Sequence, residues 1–364
     1  MRHRFHSICP YFAMFPEQFV EHWVDRLTKK GDVVLDPFCG RGTAPFQSLL
    51  MGRKAVGNDV NPVAYVVTRA KTSTPSAGVL RRRITILERG YRRWRSSSFA
   101  DAPGDFFGMA YRRETLRQLL FLRRRLAWQQ TDTDCALAAL LLGILHGESE
   151  KSSTYLSNQM PRTISTKPAY SVKYWKMHRS KAPEKDVFDA LRDAVEFRFE
   201  SEPPDGQATT LLGDMRDLPR RTDMFPGKVR CVITSPPYFS VTRFEEDQWL
   251  RLWFLGGPPY PTYNRVSTDD RHENRSRYWK MIADMWRMLG SVCASNANVV
   301  IRLGGKSLSP DQLADGLQGA AIASRRKVTL VERQQSAIEG RQTDSFRPGS
   351  KGCLIEVDCH FQLA

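Results

Sequence analysis

A tetrapeptide of Ser-Pro-Pro-Tyr, residues 235–238, directly follows the apolar run at 229–233. Each proline fixes its φ at about −65° and has no backbone N–H, so the chain leaves the predicted strand in a rigid conformation. The hydroxyl of Ser235 and the carbonyl of Pro236 are then held outward as acceptors, beside the ring of Tyr238. Such a site suits a planar amino group on a heterocycle that stacks on the ring. An ordinary proline-rich turn is the alternative interpretation.

A second motif predicts a ligand site at the end of another strand. Residues 32–43 read Asp-Val-Val-Leu-Asp-Pro-Phe-Cys-Gly-Arg-Gly-Thr, a short strand followed by a turn that contains Gly40 and Gly42. The two glycines permit a tight turn and let a ligand approach the backbone closely. A helix is expected at 44–51, directly after this turn. Glycines in this pattern alone are weak support for a binding site.

Acids at strand ends strengthen the prediction. The next expected strand, 55–57, leads to Asp59 at a spacing that suits the hydroxyls of a ribose. A later strand, 210–212, leads to Asp214, a third acid at a strand end. Each acid alone could be a turn former, but Asp36, Asp59 and Asp214 at three strand tips favour a binding site.

The two motifs together resemble those of the amino-group DNA methyltransferases, which modify cytosine N4 or adenine N6. The first is similar to their S-adenosylmethionine motif, Asp-x-Phe-x-Gly-x-Gly-Thr, and the second to their Ser-Pro-Pro-Tyr. The resemblance covers roughly residues 5–75 and 209–305 and implies S-adenosylmethionine as the cofactor. It assigns catalysis to Ser235, Pro236, Pro237 and Tyr238, and cofactor binding to Asp36, Phe38, Gly40, Gly42, Thr43, Asp59 and Asp214. In this assignment Asp214 takes the adenine amino group of the cofactor.

Alternation of expected strands and helices predicts an α/β fold with a mostly parallel sheet. The expected strands are 33–35, 55–57, 210–212, 229–233, 298–303, 327–331 and 354–361. This number suits the Rossmann-like seven-stranded methyltransferase sheet, whose last strand is antiparallel, with a large, mainly helical insertion. We expect a catalytic domain at 1–75 and 209–364 and a target-recognition insertion at 76–208. The two motifs would meet at the carboxyl ends of the strands.

The insertion is rich in arginine. Residues 61–130 carry 15 basic and 4 acidic side chains in a chain of net charge +16, which favours a polyanionic partner. Leu80, Ile84, Leu87 and Tyr91 recur at helical spacing, with arginines on the other faces. Few acids lie at i+4 to balance these arginines, so we predict that they contact phosphates. A solvated helix surface is the alternative.

Two polar segments are predicted to be loops that contact DNA. The first, 152–175, contains Asn158, Gln159 and Arg162, side-chain types that pair with base edges in the major groove. The second, 239–271, is long, polar and rich in arginine. For both segments, a structural loop is the alternative.

The N-terminal segment has two interpretations. His6 and the aromatic segment 12–15 resemble a family segment that closes over the methionine end of the cofactor, but they could also pack against the sheet. Phe19, Trp23 and Leu27 recur at helical spacing and predict a helix that packs on the sheet.

Several classes of protein are disfavoured. Seven cysteines without a Cys-x-x-Cys pair predict neither a zinc site nor a disulfide framework. The absence of Pro-Cys counts against methylation of cytosine C5. The chain has neither an apolar run of 18 residues nor a secretory signal, so we expect a cytoplasmic protein with no membrane contact.

The predicted reaction is transfer of a methyl group to cytosine N4 of duplex DNA, by base flipping and direct transfer without a metal. Serine at the first position of the tetrapeptide, as at Ser235, is the commonest form in cytosine N4 enzymes. Adenine N6 is the alternative, followed by an RNA amino-group methyltransferase or an inactive DNA-binding homologue. A cognate restriction endonuclease is a further expected partner.

Overall fold

The computed structural model describes residues 2–11, 15–95, 98–147, 154–160, 167–239, 244–262, 274–305, 308–337 and 355–364. Its strands are β1 (Val33–Asp36), β2 (Lys54–Asp59), β3 (Ala208–Leu212), β4 (Val229–Thr234), β5 (Cys293–Gly304), β6 (Val328–Ala337) and β7 (Ile355–Leu363). Its helices are α1 (Glu17–Leu27), α2 (Thr43–Leu50), α3 (Pro62–Thr72), α4 (Ala77–Arg93), α5 (Gly104–Ala110), α6 (Arg113–Arg125), α7 (Asp132–Ile144), α8 (Pro168–Met177), α9 (Val187–Arg198), α10 (Phe244–Phe254), α11 (Arg275–Val292) and α12 (Pro310–Ala320).

The chain divides into two compact units. The sheet unit comprises Tyr11–Thr68, Pro204–Arg243 and Val266–Ala364. The helical unit comprises Met1–Pro10, Arg69–Pro203 and Phe244–Arg265. The division therefore falls within α3, and α10 belongs to the helical unit although it follows the Ser-Pro-Pro-Tyr motif in the sequence.

The described strands form one seven-stranded sheet in the order β3-β2-β1-β4-β5-β7-β6. β7 is antiparallel to β5 and β6, and the other neighbours are parallel. The predicted α/β fold, with its seven strands and antiparallel last strand, is confirmed. The chain proceeds from β1 to one side through β2 and β3, and then returns to β4 on the other side. The carboxyl ends of β1 and β4 therefore form the switch point at which ligands bind in such sheets.

The sheet unit has an apolar core on each face of the sheet. Successive residues of a strand face opposite sides, so Val33 and Leu35 enter one core while Val34 enters the other. Residues of α11 and α12 fill the first core, and residues of α1 fill the second. Burial of Trp23 in that second core confirms the predicted packing of the N-terminal helix.

The helical unit has its own buried interior. Residues 134–144 of α7 are all buried, and α4 buries Leu80, Ile84, Leu87 and Tyr91, the residues predicted from helical spacing. None of the helices in the described part of the chain is long and apolar enough to cross a membrane.

Two predictions of loop structure were wrong in part. Within 152–175, residues from Pro168 onward belong to α8, which proline can open because its first helical position needs no N–H donor. Within 239–271, residues 244–254 form α10, whose first turn carries three acids that complement the helix dipole. Residues 152–153, 161–166, 240–243 and 263–271 lie outside the described residues.

Candidate functional site

The ends of β1 and β4 are joined by a side-chain hydrogen bond. Oγ1 of Thr234 donates to Oδ1 of Asp36 over 2.6 Å, and the N–H of Phe38 donates to the same oxygen over 3.2 Å. Asp36 precedes the glycine turn and Thr234 precedes Ser235, so both motifs begin at neighbouring strand ends. Sequence reasoning missed Thr234, although a polar residue at the end of an apolar strand was a usable signal.

Asp36 is a buried acid at this switch point. Only 2% of its surface is exposed. Burial raises the pKa of Asp36 to about 7, although the hydrogen bonds from Thr234 and Phe38 favour the charged form and the nearby charge of Asp59 opposes it. Carboxylates with such shifted pKa values cluster at functional sites.

The glycine turn requires glycine at one position in particular. Gly40 and Gly42 have φ values of 50° and 74°, which disfavour residues with a side chain. A Cβ at Gly42 would lie 2.6 Å from Oγ1 of Thr68, whereas one at Gly40 would meet only the ring of Tyr11, at 3.4 Å. The turn therefore packs tightly against α3 at Gly42 and leaves more space at Gly40.

Asp59 holds the glycine turn from the end of β2. Its carboxylate accepts the N–H of Gly40 and the N–H of Asn61, each over 2.9 Å. Desolvation raises the pKa of Asp59 to about 6. Each carboxylate oxygen has two lone pairs, so capacity remains for the hydroxyl groups of a ligand.

Asn58, which sequence reasoning also missed, ties three strand ends together. Its Nδ2 donates to the carbonyls of Pro37, over 3.3 Å, and Gly213, over 3.0 Å. These carbonyls follow β1 and β3, while Asn58 belongs to β2. The side chain thereby positions the turns that carry the three predicted acids.

Asp214 already has a charged partner. It accepts the N–H of Arg216 over 3.0 Å, and the guanidinium of Arg216 binds its two oxygens over 3.0 and 2.9 Å. A ligand at Asp214 would share the carboxylate with Arg216, and its predicted contact with an adenine amino group stays a prediction.

Tyr238 is held by a carboxylate of β7. Its hydroxyl donates to Oε1 of Glu356 over 2.5 Å. Burial, followed by the charge of Glu356, raises the pKa of Tyr238. Only 7% of Tyr238 is exposed. The aromatic residue of the tetrapeptide therefore has a fixed orientation before any ligand arrives.

A buried arginine supports this carboxylate. Arg302 binds Asp358 through two bonds of 2.6 and 2.7 Å, and its Nη1 lies 3.3 Å from Oε2 of Glu356. The guanidinium also lies 3.9 Å from the ring centroid of Phe19. We call Arg302, Glu356 and Asp358 the arginine cluster. Its members are brought together because β5 and β7 pair as antiparallel neighbours, and no short motif indicates this.

The remaining predicted residues line or support the same strand ends. Phe38 is partly buried and packs against one core, and Thr43 is buried and accepts from Nε of Arg41 over 3.3 Å. After Tyr238, the N–H of Phe239 donates to Gly304 over 3.3 Å, which fixes the path by which the chain leaves the tetrapeptide.

The N-terminal candidates lie in different units. His6 belongs to the helical unit, in a 3₁₀ turn at Arg4–Ser7, and is 1% exposed. Phe15 belongs to the core of the sheet unit, where its ring lies 5.2 Å from that of Phe19. Residues 12–14 lie outside the described residues. Proximity of His6 and Phe15 to a cofactor stays a prediction.

The residues present fit S-adenosylmethionine. α2 begins directly after the glycine turn, and its N-cap residue, Gly42, makes no side-chain cap. The first N–H groups of a helix attract a carboxylate, which suits the methionine end of the cofactor. Asp59 at the next strand tip suits the ribose end.

Acids from other helices and from the segments between helices pair with many of the arginines in the helical unit. The prediction rested on the scarcity of acids at i+4, but most partners are distant in the sequence. The pairs include Arg81 with Glu196, Arg83 with Asp134, Arg112 with Glu184, and Arg123 and Arg124 with Asp101. Composition therefore overstated how many arginines are available to phosphates.

Comparisons with known proteins support the first motif. The family described as DNA methylase matches residues 3–68, which include Asp36, Gly40, Gly42 and Asp59. The type II methyltransferase M.MjaII of Methanocaldococcus jannaschii is 36% identical over 66 residues, 18% of this chain and 12% of that protein. M.BsoBI of Geobacillus stearothermophilus is 22% identical over 284 residues, 69% of this chain and 52% of that protein.

The chain thus spans about half, or less, of the length of these relatives. The solved structure of TrmN from Thermus thermophilus aligns with 99% of this chain and 52% of its own chain, at a TM-score of 0.39 and 9% identity. This likeness is too weak to support a function. The matches in sequence confirm the resemblance to amino-group DNA methyltransferases as a class. They also support S-adenosylmethionine as the cofactor.

Proposed function

We propose that this protein transfers a methyl group from S-adenosylmethionine to an exocyclic amino group of a base in duplex DNA, at cytosine N4. The observation that carries the proposal is the hydrogen bond between Asp36 and Thr234. It sets the glycine turn and the Ser-Pro-Pro-Tyr motif side by side at the switch point of the sheet, where a methyl donor and its acceptor must meet.

The cofactor would be held by the first three strand ends. Asp59 accepts the ribose hydroxyls, and the open N-terminus of α2 attracts the methionine carboxylate. Asp36, with Gly40 and Gly42, borders the methionine moiety, while Asp214 borders the adenine. When bound, S-adenosylmethionine supplies a methyl group on a positively charged sulfur.

The tetrapeptide would prepare the acceptor. The lone pair of an exocyclic amine is delocalised into the ring, which makes the amine a weak nucleophile. Ser235 and the carbonyl of Pro236 can accept its two hydrogens and direct the lone pair toward the methyl group. Pro236 and Pro237 keep these acceptors rigid, so positioning and preorganised dipoles provide the catalysis.

Tyr238 would receive the flipped base. Extrusion from the duplex costs a few kcal/mol, and stacking on an aromatic ring contributes about 1–3 kcal/mol per base. Since Tyr238 is only 7% exposed, a base can stack on its ring only after neighbouring groups move aside. The bond to Glu356 would keep the ring plane fixed during that movement.

The helical unit would hold the DNA. Its basic helices, from 76 onward, suit the phosphate backbone, and 76–208 is our candidate for the target-recognition region. A cognate restriction endonuclease is proposed as a partner because two relatives of the chain are type II methyltransferases by name.

The choice of base rests on the tetrapeptide. A serine at position 235 is the form that the family resemblance associates with cytosine N4, and adenine N6 remains the second candidate. Both bases present an amino group with two hydrogens, so the same acceptors serve either target.

Product analysis tests the proposal. Duplex DNA, and RNA in a parallel reaction, are incubated with the protein and S-adenosylmethionine that carries a deuterated methyl group, digested to nucleosides and measured by mass spectrometry. We expect labelled N4-methylcytosine, and a Ser235→Ala control should yield much less. Labelled N6-methyladenine alone would overturn the base assignment. No labelled nucleoside from DNA, with label in RNA, would overturn the DNA substrate.

A further inference from the structure

Helix α4 carries six arginines and one glutamate, and the structure separates these arginines into two groups. Arg81 pairs with Glu196 over 2.7 Å, Arg83 with Asp134 over 2.7 Å, and Arg92 with Glu88 over 2.5 Å. These three arginines are bound within the helical unit.

The acid of α4 already binds two arginines. Glu88 binds Arg92 with one carboxylate oxygen and Arg192 of α9 with the other. These bonds lower the pKa of Glu88, the one to Arg192 most, so its charge is committed to two guanidinium groups. It does not neutralise the rest of the helix.

The second group is exposed and forms one row. Arg82, Arg89 and Arg93 are exposed, and they make no hydrogen bond or ion pair with any residue that the structure describes. Positions i, i+7 and i+11 lie on the same face of an α-helix, about 10 and about 6 Å apart along its axis. Ile86, on the same face, is 57% exposed.

A row of unpaired arginines has a physical cost in the free protein. Like charges at i and i+4, such as Arg89 and Arg93, destabilise a helix, and no described acid offsets them. A polyanion would remove this repulsion. Guanidinium groups suit phosphates because they donate two parallel hydrogen bonds. A row of about 16 Å matches a DNA strand, which carries one charge per ~3.4 Å of helix axis.

We propose that the face of α4 formed by Arg82, Arg89 and Arg93 contacts the phosphate backbone of duplex DNA, independently of base sequence. Arg81, Arg83 and Arg92 instead stabilise the packing of the helical unit. The inference deepens the proposed function and rests on it, since it names the surface that holds the substrate.

Two double variants with equal charge test the inference. Arg82→Gln/Arg89→Gln removes two members of the row, and Arg81→Gln/Arg92→Gln removes two paired arginines from the same helix. Binding to a duplex oligonucleotide is measured by fluorescence anisotropy across a series of salt concentrations. Each lost phosphate contact changes the slope of log K against log salt by about 0.9. We expect the first variant to flatten the slope by about 1.8, and the second to keep the slope of the parent.

The outcomes separate this inference from the function it rests on. Equal flattening by both variants would mean that net charge alone matters, and the parent slope in both would remove α4 from the interface. Either result overturns the inference while methylation of duplex DNA by the parent continues. If the parent binds DNA with the predicted difference between variants but methylates none, the surface stands and the enzymatic proposal fails.

Discussion

Both units carry arginines, and Arg302 of the sheet unit contrasts with Arg82 of the helical unit. In the sheet unit, Arg302 is 9% exposed and is enclosed by Asp358, Glu356 and the ring of Phe19. In the helical unit, Arg82 is exposed and has no described partner. The same side chain therefore organises a site in one unit and is free to meet a partner in the other.

The difference follows from the cost of burial. A charge taken out of water must be paired and hydrogen-bonded, so a buried arginine is surrounded by acceptors, as Arg302 is. An exposed arginine remains solvated and needs no partner within the chain. The role of an arginine therefore depends on whether it pairs with an acid of the same chain, which composition does not show.

Replacement of the buried arginine should produce the largest effect. Arg302→Met leaves Asp358 and Glu356 without their cation, and loss of one partner of a buried pair costs about 3–5 kcal/mol. Arg81→Met, which removes an exposed ion pair, should lower the free energy of unfolding by no more than about 1 kcal/mol. Urea denaturation of both variants measures the two losses. Similar losses in the two variants would contradict the contrast between the units.

The buried acid of the sheet unit should make stability depend on pH. The pKa of Asp36 is raised from 3.8 to about 7, so its favourable contribution is complete below about pH 4 and is lost as the pH rises to about 7. The slope is at most about 1.4 kcal/mol per pH unit. Asp36→Asn should abolish the loss of stability between pH 6 and 7. Asp59, with a pKa of about 6, titrates at lower pH and does not account for that loss.

Thermal unfolding at several pH values measures this dependence. The variant should gain stability relative to the parent as the pH rises toward 8. A parent whose stability is unchanged between pH 6 and 8 would show that Asp36 is not buried as the structure has it.

Two glycines with similar φ values sharpen the comparison at a smaller scale. Gly42 of the sheet unit has φ 74° and Gly104 of the helical unit has φ 82°, but only Gly42 is crowded by Thr68. Backbone strain of about 1–3 kcal/mol affects alanine at both positions. Gly42→Ala should cost more than Gly104→Ala because overpacking adds to the strain. Equal losses of unfolding free energy would contradict the crowding at the turn.

Loss of the hydrogen bond that Tyr238 donates to Glu356 should have the smallest effect. Tyr238→Phe removes that hydrogen bond, worth about 1 kcal/mol, so the kcat of methyl transfer should fall about fivefold. Glu356→Gln also weakens the charge contact with Arg302, so its loss should be at least as large. The double variant should resemble Glu356→Gln, since Tyr238→Phe removes an interaction that Glu356→Gln has already weakened. Affinity for S-adenosylmethionine should stay unchanged. Additive losses would show that Glu356 does not act through Tyr238.

The sequence was sufficient for the architecture of the sheet unit. Glycine, proline and acid residues lie within a few positions of their strands, so local patterns located the turn at Gly40 and Gly42 and the acid at Asp59. The parallel arrangement then required that the strand ends meet. Thr234 and Asn58 could have been included, since each directly precedes a predicted site residue.

Long-range pairing could not be predicted in the same way. Glu356 reaches Tyr238 only because β5 and β7 pair in one register, and Glu196 neutralises Arg81 only because α4 packs beside α9. No local signal indicates either contact. The helix α10 was missed for a different, local reason. The polar residues at its start were interpreted as a loop, although three acids there favour a helix.

The central claim is that the methyl donor binds at the strand ends of the sheet unit, and not at the arginine row of the helical unit. Calorimetric titration of S-adenosylmethionine into the parent, Asp59→Ala and Arg82→Gln/Arg89→Gln tests it most directly. Loss of the ribose partner should weaken binding by roughly 1–3 kcal/mol in Asp59→Ala, and the arginine variant should bind like the parent. Parent-like affinity in Asp59→Ala, or an equal loss in the arginine variant, would contradict the claim.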